Sequence, residues 1–232
     1  MGRAAALLGL LLAWYLAAPH VGGLALWPSI LLIAIVLMPA VFLLVWLASP
    51  LWDTPRLWAV AIALGVLTLA FTEAGFDTGA NFTKIGAMTC AGWWFLGFFE
   101  ELSWVVLVAL LIPWVDAYSV WRGPTHAITS GGHEHVFTSL SIAFVVPGGG
   151  SARLGLPDLL FFAVFLGATL RFRLRPGVTW IALVAALGFT VIAAHLWTVD
   201  GLPALPGLAI AFLVPNADLI WRRMRPTSFS AS

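Results

Sequence analysis

Eight times along its length the chain runs apolar over a stretch that reaches or approaches the thickness of a bilayer. The runs are Ala4–Ala18, Leu26–Leu47, Leu57–Phe71, about Ile85–Phe99, Leu102–Trp121, Leu154–Leu170, Val178–Trp197 and Pro203–Trp221. A helix needs about 20 mostly apolar residues to cross the hydrocarbon layer, where backbone polar groups must find partners within the structure. With 62% hydrophobic and 9% charged residues among its 232, the chain has too little polar surface for a soluble domain. The pattern predicts an all-α, polytopic transmembrane bundle of about eight spans, seven to nine. It reads as one integral membrane domain over residues 1–232, with N-terminal spans over 1–101 and the chemistry-bearing spans over 102–232. Ala4–Ala18, behind Arg3, also fits a signal peptide ending at Ala17 and Ala18, although a retained first span is the preferred reading.

Charge placement sets the expected orientation. Eight spans put Arg3, Arg56, Arg171, Arg173, Arg175, Arg222, Arg223 and Arg225 on one side, and only Lys84, Arg122 and Arg153 on the other. Positive charge concentrates on the cytoplasmic side, so both termini are expected in the cytoplasm and the loop Arg122–Arg153 outside. The Arg-over-Lys bias and the abundance of Ala and Leu point to a prokaryotic cell membrane. Trp27, Trp46, Trp52, Trp58, Trp104, Trp121, Trp180 and Trp221 lie near span ends, as interfacial anchors do. A net charge of +1 and the absence of any basic run interleaved with aromatics argue against nucleic acid. The single Cys90 excludes an internal disulfide and disfavours a thiolate metal site.

Against this background two carboxylates stand out. Asp158 lies inside the run Ser151–Leu170 and is followed by ten residues that are all apolar or glycine; Asp116 lies in Ile112-Pro113-Trp114-Val115-Asp116-Ala117-Tyr118. Ionisable residues inside spans are costly and mark function by default. Asp116 precedes Arg122 by six residues and Asp158 follows Arg153 by five, so both lie roughly 8–9 Å below the same surface at about 1.5 Å per helical residue. Neighbouring antiparallel helices would bring them to one depth. Two close carboxylates in low dielectric cannot both ionise readily and so share a proton, an arrangement suited to peptide hydrolysis. The ionised one takes a proton from water while the protonated one donates to the scissile carbonyl. The same residues also fit structural hydrogen bonding, or the site of a small proton- or cation-coupled transporter.

Leu154-Gly155-Leu156-Pro157-Asp158, followed by Phe162 and Gly167, resembles the Gly-x-Gly-Asp helix of the presenilin and signal peptide peptidase family of intramembrane aspartyl proteases. Asp116, with Gly123-Pro124 after it, is similar to that family's other catalytic aspartate, and Pro203-Ala204-Leu205-Pro206 to its Pro-Ala-Leu motif. The resemblance covers about Trp114 to the C-terminus. It implies a presenilin-like arrangement, catalysis by Asp116 and Asp158, and Gly155, Leu156, Pro157, Pro203, Ala204 and Leu205 beside the substrate. It implies no metal and no cofactor. Val115 stands where the family usually has Tyr, and Pro157 replaces the second Gly. The arginine asymmetry and Leu170-Arg171-Phe172 resemble the signal peptide peptidase branch. The implied partners, besides the lipid bilayer, are single transmembrane helices with cytoplasmic N-termini, including remnant signal peptides.

Other features carry less. His126, His133, Glu134 and His135 match no standard zinc spacing. Glu100-Glu101 resembles the start of the Glu-Glu-x-x-x-Arg motif of CAAX-type membrane proteases, but Val105 occupies the Arg position. Asn81-Phe82-Thr83 is a glycosylation sequon on the expected outer side, and His195 reads as a packing residue. Asp218 is expected to pair with Arg222 one helical turn on. Thr72–Thr83 reads as a polar loop, and Val136–Val146, too short to span, as a strand or re-entrant piece whose edge could pair with substrate.

Overall fold

The computed structural model describes residues 2–122, 139–197 and 202–224. These residues are mostly helical and form eight helices. The N-terminal helices are α1 (Gly2–Ala17), α2 (Leu26–Leu51), α3 (Leu57–Glu73), α4 (Asp77–Leu96) and α5 (Leu102–Arg122). After an antiparallel hairpin of β1 (Ser141–Val145) and β2 (Ser151–Gly155) come α6 (Leu156–Arg171), α7 (Pro176–Leu196) and α8 (Leu205–Met224). Among the described residues four helical stretches, Gly2–His20, Leu26–Leu51, Leu102–Ser119 and Pro176–Leu196, are long and apolar enough to cross a membrane. This is consistent with a membrane protein. The hairpin departs from the all-α expectation: its residues cross no membrane alone, and pairing with each other satisfies their inward-facing backbone groups.

α6 is the centre of the bundle. Leu159, Phe162, Ala163, Val164, Phe165, Leu166 and Ala168 are all fully buried, so this helix has no polar face and needs none. α4 approaches it at Gly92, where a Cβ would lie 2.7 Å from the Leu160 carbonyl oxygen. α2 reaches it through Phe42 and Phe162, whose rings are 4.1 Å apart, and α8 through the stacked pair Phe165 and Phe212 at 4.9 Å. Exposed apolar residues such as Ile62, Leu69, Trp114 and Ile210 cover the outside, where a lipid phase would meet them. Within α2 a π-helical turn over Ile33–Leu37 immediately precedes Pro39, whose missing N–H and ring prevent an undisturbed α-helical ladder there.

Three boundaries differ from expectation. Thr72–Thr83 is not a loop: α4 starts at Asp77, an acidic first-turn residue that suits a helix N-terminus. The polarity that suggested a loop is used internally, since Thr83 bonds Thr68 and Asn81 bonds the hairpin. The run from Leu154 becomes helical only at Leu156, and the last run begins its helix at Leu205. Asp218 does not pair along its own helix with Arg222. The Arg175 guanidinium at the start of α7 meets both carboxylate oxygens at 2.7 and 2.8 Å, a two-bond fork that a single helical-turn contact cannot match. Nearby, the fully buried Asn216 ties α7 to α8 by donating to Thr179 Oγ1 and accepting from the Arg175 backbone N–H.

Candidate active site

The hairpin runs without a break into the helix that bears Asp158. β1 and β2 pair in the register Ser141↔Gly155 through Val145↔Ser151. The ladder extends past both ends, with Val146 N–H donating to the Gly150 carbonyl and Leu156 N–H to the Leu140 carbonyl, each at 3.0 Å. Leu156 is therefore both the last rung of the sheet and the first residue of α6. The turn is tight and pressed on the α1–α2 connection: Gly148 has φ +86°, and a Cβ on it would lie 2.6 Å from the Gly23 Cα. Only glycine fits both demands.

Gly155 caps α6 in an extended conformation (φ −63°, ψ 146°), and Pro157 follows in the first turn, where a missing N–H has no helical partner to lose. Asp158 then points back toward Gly155, within reach of its backbone N–H. A Cβ on Gly155 would lie 3.2 Å from Asp158 Oδ2, so the glycine serves here by leaving room rather than by adopting an unusual dihedral.

Asp116 is half-buried on α5, three residues beyond Pro113, between the exposed Trp114, Val115 and Tyr118. Its Oδ2 accepts a hydrogen bond of 3.0 Å from the backbone N–H of Leu205. The first N–H groups of any helix lack partners within it, and their positive end of the helix dipole favours a carboxylate. Leu205 is the first residue of α8; the Ala204 carbonyl accepts from Leu208 N–H at 3.1 Å, and Pro206 contributes no donor. Asp116 thus caps α8 from another helix. Its charge is close enough to act on Asp158.

The residues singled out in the sequence are distributed as follows. Asp116 and Leu205 are in direct contact, and Asp158 and Gly155 are packed on each other. Leu156 is half-buried in the ladder and Pro157 is exposed. Ala204 and Leu205 are buried at 5% and 4% exposure. Pro203 sits outside the helix, and Pro206 inside its first turn. An apolar groove of about 720 Å³ between α7 and α8 is lined by Pro203, Gly207 and Ala211, with Ala117 at one side. Among the described residues neither aspartate nor Gly155 lines it, and Ala117 is its only lining residue from α5. The strand-like run contributes Ser141–Val145 to the hairpin. His126, His133, Glu134, His135, Gly123 and Pro124 lie outside the described residues. His195 packs edge-on against Trp27, ring centres 5.1 Å apart.

Four residues escaped the sequence reading: Trp14, Tyr15, Asn81 and Lys84. Asn81, read as a sequon, is 7% exposed and has both amide atoms on the Ala143 backbone, accepting at 2.7 Å and donating at 3.1 Å. Tyr15 Oη donates to the same Ala143 carbonyl at 2.8 Å, Trp14 Nε1 to the Val145 carbonyl and Lys84 Nζ to the Ser141 carbonyl. One signal was available: Asp77, Asn81 and Lys84, at i, i+4 and i+7, place three polar residues on one face of α4.

Comparison of the chain with protein-family models, with curated proteins and with solved structures finds no match.

Proposed function

We propose that this chain is an intramembrane aspartyl protease of the presenilin and signal peptide peptidase type, with Asp116 and Asp158 as its acid–base pair. The observation that carries the proposal is the bond from Leu205 N–H to Asp116 Oδ2, beside Asp158. It draws together three segments distant in sequence, each of which resembles one of the family's three ordered motifs. A purely structural cap for α8 needs only a local acceptor; here the acceptor is a carboxylate from α5 that also feels a second carboxylate.

In the proposed reaction one aspartate, ionised, takes a proton from a water molecule between the pair. The other, protonated, donates to the oxygen of the scissile carbonyl as the water oxygen attacks its carbon. The chemistry needs neither metal nor cofactor. A substrate helix must unwind first, because its carbonyls are engaged in its own hydrogen bonds, and unwound backbone at membrane depth needs protein partners. The outward edge of β2, continuous with α6, offers such partners a few residues from Asp158. The substrates are single transmembrane helices, including remnant signal peptides. The proposed topology is eight spans in a prokaryotic cell membrane, with both termini cytoplasmic.

The deciding experiment incubates the purified protein with a transmembrane-helix peptide beside the variants Asp116→Asn and Asp158→Asn. Cleavage by the native chain and its loss in both variants is the expected result. Undiminished cleavage in either variant removes the pair from the mechanism.

A further inference from the structure

The two edges of the hairpin are treated differently by the rest of the chain. In an antiparallel pair, alternate residues turn their N–H and C=O groups toward the partner strand and away from it. The bonds Val146–Gly150 and Leu156–Leu140 fix the even-numbered residues as inward, so Ser141, Ala143 and Val145 of β1 and Ser151 and Arg153 of β2 face outward. On β1 the three outward carbonyls and the Ala143 N–H are taken by side chains of α1 and α4. Asn81 grips both the N–H and the C=O of Ala143, as a neighbouring strand would, and Tyr15 adds a second donor to the same carbonyl. Trp14 and Lys84 hold the carbonyls on either side. On β2, no hydrogen bond from a described residue reaches the outward backbone groups of Ser151 and Arg153.

Tyr15 and Asn81 are both buried, and the polar atoms of both side chains bond the Ala143 backbone. Their polar atoms are spent on one backbone position of the hairpin, and Trp14 and Lys84 hold the positions on either side. An edge strand left bare is a template for unintended pairing, and register slips along a strand in steps that preserve its two faces, two residues at a time. A clamp on Ala143 prevents both, because it closes β1 to a third strand and stops β1 from sliding relative to α1 and α4.

We propose that Asn81 and Tyr15 are positioning residues that close the outer edge of β1, leave β2 as the strand open to an unwound substrate, and so fix which peptide bond lies at Asp158. The proposal rests on the protease reading and adds a role for the N-terminal helices, in which the sequence shows no recognised motif.

The test compares the native chain with Tyr15→Phe, Asn81→Asp and Asn81→Leu, using one transmembrane-helix peptide and mass spectrometry of its products. Asn81→Leu is expected to spread cleavage to bonds two residues on either side of the native one, matching the two-residue period of a strand. Its kcat should fall on the order of tenfold while KM stays within about twofold, since misplacement of a bound substrate acts on the chemical step. Asn81→Asp, which keeps the acceptor for Ala143 N–H, and Tyr15→Phe, which removes one of two donors to a carbonyl, should show the same spread to a smaller extent. Cleavage at the native bond alone, with only the yield of folded protein reduced, would overturn the proposal. Asp158→Asn in parallel separates the two readings: products that persist in it refute the protease assignment, whereas products that vanish in it leave the clamp judged by the register alone. Amide hydrogen exchange at Ala143 gives a measure free of substrate. It should accelerate at least tenfold in Asn81→Leu, and an unchanged rate refutes the clamp.

Discussion

Gly155→Ala isolates the geometry of Asp158 from the stability of the fold. At φ −63° and ψ 146° the backbone is in a region alanine adopts freely, so no dihedral strain is introduced. Replacing Gly by Ala at such a position restricts the unfolded chain and stabilises by about 0.4–1 kcal/mol when nothing else moves. Something must move here, because the new methyl would stand 3.2 Å from Asp158 Oδ2, whereas ordinary contacts begin near 3.4 Å. The carboxylate retreats by a few tenths of an ångström. Active-site groups must be held within about 0.5 Å of productive geometry, and a 1 Å error can cost about a hundredfold in rate. A displacement of a few tenths then corresponds to roughly a three- to fivefold loss of kcat, or about 1 kcal/mol of transition-state stabilisation.

The assay is steady-state cleavage of a transmembrane peptide in detergent, run beside thermal unfolding of the same preparation. The expected pattern is a lower kcat, an almost unchanged KM, and a melting temperature equal to or slightly above that of the native chain. Gly177→Ala, where an added Cβ meets nothing within 4 Å, is the control and should leave kcat alone. Unaltered kcat in Gly155→Ala would mean that the Asp158 carboxylate is not held against Gly155 during the reaction. A lower kcat accompanied by a lower melting temperature would shift the explanation to a disturbed hairpin.

Packing makes further predictions, each read by reversible unfolding in mixed detergent. Gly92→Ala should destabilise by about 1–3 kcal/mol, because its methyl would meet the Leu160 carbonyl oxygen at 2.7 Å and the Ala163 Cβ at 3.0 Å, forcing α4 from α6. Gly65→Ala, with open space around it in α3, should instead be neutral or stabilising by up to about 1 kcal/mol. Asn216→Leu removes the α7–α8 bonds to Thr179 and the Arg175 backbone and should cost about 1–2 kcal/mol, given roughly 0.6 kcal/mol for an average interhelical hydrogen bond in a membrane protein. Gly148→Ala should loosen the hairpin turn, since its positive φ and the Gly23 backbone 2.6 Å away both exclude a side chain; faster amide exchange at Val146 and Leu156 is the readout.

The legible parts of the fold were those dictated by solvent. Long runs without charge must be helical if they lie in lipid, and the helices fall where such runs occur. α6 was legible for a different physical reason than it seemed: its apolar sequence reflects burial by protein on all sides as much as any contact with lipid. Asp116 and Asp158 were legible as carboxylates inside apolar runs, whereas the depth count from Arg153 does not carry over, because Arg153–Gly155 belong to β2 and helical rise begins only at Leu156. What escaped were pairings made at long sequence separation by short polar side chains. Asn81 looked like a loop residue because polarity within an apolar chain suggests exposure, yet 62 positions separate it from the backbone it grips. Asp218 was assigned to its own helix because periodicity sees only one helix at a time, while Arg175 lies 43 residues away. β2 was hidden because Ser151-Ala152-Arg153-Leu154-Gly155 has too few apolar residues to announce a strand; its partner defines it.

The Pro-Ala-Leu segment shows how a motif and a physical requirement coincide. Pro203 and Pro206 bracket Leu205, and neither carries an N–H, so Leu205 N–H stands as a donor without competitors from the prolines beside it. A donor at a helix N-terminus in apolar surroundings must be answered, and the groups nearest in sequence cannot do so: Ala204 has no side-chain acceptor and its carbonyl is already taken by Leu208 N–H. The vacancy is filled by Asp116, 89 residues away. That bond uses one oxygen of the carboxylate, Oδ2. A carboxylate held by one backbone N–H keeps a fixed orientation while one oxygen remains for proton exchange, whereas the two-bond fork with Arg175 engages both oxygens of Asp218 and favours its ionised form. The contrast between these two aspartates, one half-buried and capped by a single amide and one paired with arginine on the rim, is the chemical reason the protease proposal takes Asp116 and not Asp218.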